Sequence, residues 1–261
     1  MKVAILAGGT GTRLAEETVV RPKPLVEIGN MPILWHVMTS YAQYGFREFV
    51  VALGYKGDQI KRYWADYCLL GGSITVDLAE GGIDQAGERP AEDWVVRLIE
   101  TGEKTGSGGR VKRLSPYLGQ ETFMLTYTDG LADIDLARLL EFHKKHGRLA
   151  TLTAVRPPGR FGHLDIVDGR VESFLEKPRH EQGWINGGFF VVEPGVFDYI
   201  DGDSDDWAGQ ILTRLAEDGQ LMAYQHESFW QCMDTIQEKN YLDALWQSGN
   251  APWKGGEISP A

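Results

Sequence analysis

The segment KVAILAGGTGTR, residues 2–13, constrains the fold more than any other part of the chain. An apolar run breaks directly into Gly8, Gly9 and Gly11, followed by Arg13. A buried strand that empties into glycines is the strand-to-helix turn at which α/β proteins bind anions. The glycines let backbone N–H groups approach a phosphate closely. No Gly-Lys-Ser/Thr follows, so this is not a Walker loop. Leu14 stands where a dinucleotide fingerprint needs its third glycine, which excludes an ordinary dinucleotide oxidoreductase. Taken alone, the loop also fits a plain tight connection; Arg13 tips it toward an anion by adding a charged fork beside the backbone donors.

The rest of the first half keeps the same rhythm. Apolar spacing predicts strands at Val3–Ala7, Phe49–Leu53, Ile74–Leu78, Trp94–Glu100 and Phe123–Tyr127. Helices are predicted at Pro32–Tyr44, Asp58–Leu69 and Ile134–His146, with Gly45 and Gly147 at C-terminal cap positions. Strands alternating with helices mean a Rossmann-like, mostly parallel sheet flanked by helices, with ligands at the carboxyl ends of the strands. The second half reads as β-rich. It has a hairpin over His163–Phe174 turning at Asp168-Gly169, strands at Ile185–Glu193 and Met222–Met233, and a helix at Thr235–Trp246. Gly81–Pro90 reads as a polar loop. No internal repeat or linker divides residues 1–261, so a single domain is expected.

A formal net charge of −11 argues against nucleic-acid binding. Such a chain needs local cations or a metal to hold a polyphosphate. Lys23 is one such cation, held stiffly between Pro22 and Pro24 in RPKPLVEIG. No apolar run is long enough for a membrane span and no secretory leader is recognisable, so a cytoplasmic location is expected. Cys68 and Cys232 lie far apart without metal spacing and read as free thiols.

Taken together, LAGGTGTRL and RPKPLVEIGNMPIL resemble the signature of the sugar-1-phosphate nucleotidylyltransferases. The likeness continues in order through GYKGDQIKRYW, TGSGGRVKRL, LTYTDGLADID, PPGRFGHLDI, FLEKP, INGGFFVVEP and FWQCMDT, nearly the whole chain. The form of GYKGDQIKRYW and TGSGGRVKRL is that of the family's cytidylyltransferase branch. The resemblance implies an enzyme that joins CTP and a sugar-1-phosphate, glucose 1-phosphate first among them, with Mg²⁺ as cofactor. It also implies a homo-oligomer, a hexamer in the nearest case.

Site residues follow from the same resemblance. Leu6, Ala7, Gly8, Gly9, Thr10, Gly11 and Thr12 would cradle the nucleotide, with Ser107, Arg110 and Thr128 beside it. Arg13 would face the leaving pyrophosphate and Lys23 the α-phosphate. Asp129 and Asp234 each end an apolar strand and would hold the metal, although each alone also fits a helix N-cap. Glu176, Lys177, Asn186 and Gly187 would contact the sugar phosphate, whereas a β-bulge would equally explain the paired glycines Gly187 and Gly188. For Arg110, an exposed position on a helix is the competing expectation. Thr128, His163, Cys232 and the stretch around Gln210 depart from the branch pattern, which leaves a different sugar-1-phosphate as the alternative substrate. A non-catalytic nucleotide-sugar-binding subunit would be expected to have lost Arg13, Lys23 or a metal aspartate; all are present.

Overall fold

A computed structural model describes residues 1–9, 11, 14–69, 73–86, 92–157, 163–167, 170–175 and 183–255; at 15–16, 83–86, 163–167 and 172–175 the description covers the backbone alone. Seven strands form the central sheet. In spatial order they are Leu221–His226, Ala150–Val155, Ile185–Val192, Phe123–Tyr127, Lys2–Leu6, Glu48–Leu53 and Val95–Glu100. The first strand pairs in parallel with both Glu48–Leu53 and Phe123–Tyr127. Ile185–Val192 runs antiparallel to its two neighbours, so the sheet is mixed and mostly parallel.

The strands are apolar on both faces because both faces are covered. Val3, Ile5, Val51, Met124 and Val191 point into one core with the helix Ile33–Ala42. Ala4, Leu6, Val50, Leu125 and Phe190 point into the other, against the helix Ser107–Leu118 and Trp207. Residues of opposite parity on one strand thus feed two cores, as the period of 2 requires.

The parallel register brings strand ends together. Leu6 pairs with Ala52 on one side and Tyr127 on the other. The glycine loop leaves after Leu6 and Asp129 follows two residues after Tyr127, so both emerge at the same edge.

Several expectations from the sequence change. Ser73–Asp77 lies outside the main sheet; it pairs instead with Gly82–Ala86, within the stretch that reads as a polar loop. All five residues of Ser73–Asp77 are exposed, which is why local propensity alone placed this strand wrongly. Met222–Met233 is two strands rather than one. Leu221–His226 joins the sheet, the chain breaks at Glu227–Ser228, and Trp230–Cys232 pairs with Gly130–Ala132. Ala150–Val155 has no counterpart in the sequence reading, because its threonines interrupt the apolar run that marks the other strands. A helix over Ser107–Leu118 joins those expected; Gly108 and Gly109 are needed there because a Cβ would lie 3.0 and 2.6 Å from backbone atoms of Asp205 and Asp203. The Asp168-Gly169 turn lies outside the described residues.

Candidate active site

A cavity of about 470 Å³ opens where these strand ends meet. Leu6, Ala7, Gly8, Gly9 and Gly11 form one wall, Thr128 and Asp129 another, and Lys23, Ser107, Arg110 and Asp234 complete it. Gly11 has φ +65°, and a Cβ there would meet Thr18 Cγ2 at 2.8 Å and Lys23 Cβ at 3.2 Å. Only glycine suits both the left-handed backbone and the tight fit. The loop is tied down by Thr18 Oγ1, which donates to the Gly11 carbonyl at 3.1 Å.

Lys23 is buried at the cavity floor. It opens a short 3-10 turn, Lys23–Leu25, with Pro22 before it at φ −65° and Pro24 within it. Its ammonium donates to Asp129 Oδ2 at 2.8 Å and to Asp234 Oδ1 at 2.6 Å. Burial works against this charge, but the attraction of Asp129 and then Asp234 outweighs it and holds the lysine pKa above its ordinary value. Both carboxylates therefore reach one point, although 105 residues of sequence separate Asp129 from Asp234. Among the described residues no group of three or more His, Cys, Asp or Glu side chains forms a metal cluster. Two carboxylates with phosphate oxygens as further ligands suit a magnesium-type site, so the residues present fit the cation that the resemblance implies.

Arg110 is neither exposed nor on a helix surface: only 5% of it is accessible. One terminal nitrogen donates to the Leu53 carbonyl at 2.8 Å and Thr101 Oγ1 at 2.7 Å; the other donates to the carbonyls of Gly8 at 3.1 Å and Glu103 at 3.2 Å. A Cβ at Gly8 would stand 2.3 Å from this guanidinium and one at Gly54 2.5 Å, so both glycines make room for it. With its four terminal N–H groups engaged, Arg110 would have to give up one of these bonds to donate from a terminal nitrogen to a cytosine edge. Ser107 is likewise occupied, donating to Asp206 Oδ1 at 2.8 Å and accepting from the Trp207 N–H at 2.8 Å.

A second cavity, of about 390 Å³, adjoins the first and shares Tyr127, Asp129 and Asp234 with it. Asn186 and Gly187 line it, together with Trp230, Cys232 and Glu238. The register shifts between Leu152 and Ala154, and Gly188 takes φ +83°, so the bulge expected of these glycines is present as well as the lining position. Asn186 Oδ1 accepts from the Gly188 N–H at 2.9 Å and Trp230 Nε1 donates to the Gly187 carbonyl at 2.8 Å, which fixes the bulge against the wall. Burial, followed by Glu238, Asp234 and Asp129, pushes the Cys232 thiol up to about 12, so it is a neutral wall group rather than a nucleophile. Thr10, Thr12, Arg13, Glu176 and Lys177 lie outside the described residues.

Sequence reasoning missed Glu238, although the signal was present. Thr235-x-x-Glu238 is a capping box opening the helix Ile236–Gln247. Glu238 Oε2 accepts from the N–H groups of Asp234 at 2.7 Å and Thr235 at 2.9 Å, so the cap also positions a metal candidate. Glu238→Ala should lower stability by about 1 kcal/mol and raise the divalent-ion concentration needed for half-maximal turnover. Glu238→Gln keeps the accepting oxygen and should spare both; thermal melts and a metal titration of the two variants check this.

The nucleotidyl transferase family model matches residues 2–248. The chain belongs to this family. It is 51% identical to glucose-1-phosphate cytidylyltransferase of Salmonella typhi over 258 residues, 98% of this chain and 100% of that one. It is 43% identical to a probable glucose-1-phosphate cytidylyltransferase of Bacillus subtilis, over 97% of this chain and 99% of that one. Solved structures share the fold at low identity. HddC from Yersinia pseudotuberculosis aligns at TM-score 0.70 and 22% identity, covering 94% of this nucleotidyl transferase and 99% of that chain. A UDP-glucose pyrophosphorylase complexed with UDP-glucose aligns at TM-score 0.66 and 14% identity, covering 95% and 98%.

Proposed function

We propose that this nucleotidyl transferase joins CTP to α-D-glucose 1-phosphate, giving CDP-glucose and pyrophosphate. The observation that carries this reading is the meeting of two cavities at Asp129 and Asp234, with Lys23 between the two carboxylates. The relatives over 40% identical along nearly the whole chain supply the choice of base and sugar.

In the reaction an oxygen of the sugar phosphate forms a bond to the α-phosphorus of CTP. The bond from that phosphorus to the bridging oxygen breaks, and pyrophosphate leaves with the electron pair. Such displacements are accelerated mainly by positioning and by neutralising charge. The Gly8–Gly11 backbone and Arg13 would hold the departing phosphates, and Lys23 would stabilise charge on the α-phosphoryl group. Asp129 and Asp234 would hold Mg²⁺, which supplies charge neutralisation and alignment of the phosphates when bound. Asn186, Gly187, Glu176 and Lys177 would orient the sugar phosphate. Ser107, Arg110 and Thr128 flank the nucleotide in this reading, Arg110 by holding the floor of the cavity rather than its surface. A cytoplasmic location suits this reaction. No helix among the described residues is long and apolar enough to cross a membrane. Ile74, Val76 and Leu78, 40%, 49% and 91% exposed at the Ser73–Asp77 strand and just beyond it, support a homo-oligomer.

A pyrophosphate-release assay with Mg²⁺, crossing five nucleoside triphosphates with a panel of sugar-1-phosphates, tests the reading. Fast release with CTP and glucose 1-phosphate is the expected result; silence of the folded protein with every pair would overturn it. Release with CTP and another sugar would shift interest to Cys232, which lines the second cavity, and Thr128 beside the shared carboxylate. Asp129→Asn and Asp234→Asn should each raise the Mg²⁺ requirement by about tenfold or more, as a lost charged ligand implies. Variants that match the parent at limiting Mg²⁺ would remove the metal assignment.

A further inference from the structure

Lys23 stands between the two groups assigned to the metal. Its nitrogen lies 2.8 Å from Asp129 and 2.6 Å from Asp234, within hydrogen-bond reach of both. A magnesium-type ion, with metal–oxygen distances of about 2.0–2.1 Å, would draw on the same two carboxylates, of which Lys23 already holds Asp129 Oδ2 and Asp234 Oδ1. The two cations therefore compete for one pair of carboxylates, and their like charges repel at this distance.

We infer that Lys23 makes the site select a divalent cation already carried by a nucleotide and reject the free cation. The inference rests on the metal assignment of the proposed function and adds a role for Lys23 that precedes the chemistry. To admit a free ion, Lys23 would have to surrender two charge-assisted hydrogen bonds and leave a buried ammonium without an anion, which is expensive. A nucleotide removes that cost, because its phosphate gives the ammonium a new anionic partner and supplies the cation with further oxygen ligands. The backbone of Lys23 is held in place: Pro22 and Pro24 flank it, and its carbonyl accepts from the Val26 N–H at 3.0 Å. Transfer between the carboxylates and a phosphate therefore falls to the flexible four-carbon side chain. Nucleotide and cation then bind with positive coupling, each improving the affinity of the other by the same factor.

Mn²⁺ binding, followed by titration calorimetry and by the spin-resonance signal of free Mn²⁺, tests this without turnover. The proteins are the parent, Lys23→Met, Lys23→Gln, Asp234→Asn, and each Lys23 variant combined with Asp234→Asn. Without nucleotide, both Lys23 variants should bind Mn²⁺ at least about tenfold more tightly than the parent, and Asp234→Asn should abolish that gain, which places it at the carboxylate pair. A non-hydrolysable CTP analogue should tighten Mn²⁺ binding strongly in the parent and much less in the variants. Parent and Lys23 variants within twofold of each other without nucleotide would overturn the inference. So would a parent that binds Mn²⁺ as tightly without the analogue as with it, a result that needs no variant to fold. A parent whose analogue-dependent Mn²⁺ binding ignores Asp234→Asn would instead overturn the metal assignment itself.

Discussion

Lys23→Met should lower kcat for CDP-glucose formation by about 10²–10³-fold, the usual cost of removing one preorganised donor from a developing negative charge. Lys23 is buried, it lines the cavity, and it sits on a backbone held by two prolines, so no solvent reorganisation is needed to bring its charge to bear. Methionine keeps the side chain's length up to the terminal atom and removes the ammonium with its charge and donors. Its stability cost is limited because the two carboxylates it leaves behind retain 34% and 17% of their side-chain exposure and can take up water. Steady-state kinetics at saturating CTP, glucose 1-phosphate and Mg²⁺, with a circular-dichroism melt on the same sample, would measure both effects. A folded variant within threefold of the parent's kcat would mean that the charge is not used in the displacement.

Arg110→Met should cost about 2–4 kcal/mol of stability and raise the KM for CTP by about tenfold. For a chain of this size that loss lowers Tm by about 5–15 °C. The guanidinium ties the glycine loop at Gly8 to the end of the neighbouring strand at Leu53 and to the segment Thr101–Glu103. Removing it leaves buried carbonyls without this donor and unpins the loop at the edge of the cavity. Arg110→Lys should rescue little, because one ammonium cannot span four acceptors on opposite sides of a planar fork. A melt and a CTP titration decide the matter; unchanged Tm in Arg110→Met would show that the clamp contributes nothing to stability.

The glycine loop, the stiff lysine and the first βαβ units were legible in the sequence because each is local. A strand that must be buried on both faces is written as a continuous apolar run, and glycine at positive φ is close to obligatory at Gly11. Glu238 was legible in principle, as the fourth residue of a capping box. The fate of Ser73–Asp77 and the split of Met222–Met233 were not legible, since strand propensity does not say which partner a strand finds.

Arg110 shows the same limit at the level of a single side chain. Its place in a helix gives no sign that Gly8 and Gly54 leave space for its guanidinium from two separate strand ends. By itself, the sequence determined the fold class, the glycine loop after the first strand and the identities of the charged groups, all of which depend on neighbours within a few residues. Tertiary structure alone decided that Asp129 and Asp234 face one another across Lys23, and that Arg110 points inward rather than out. Those outcomes depend on strand register and on which buried charges find partners, and both are settled only when distant segments pack together.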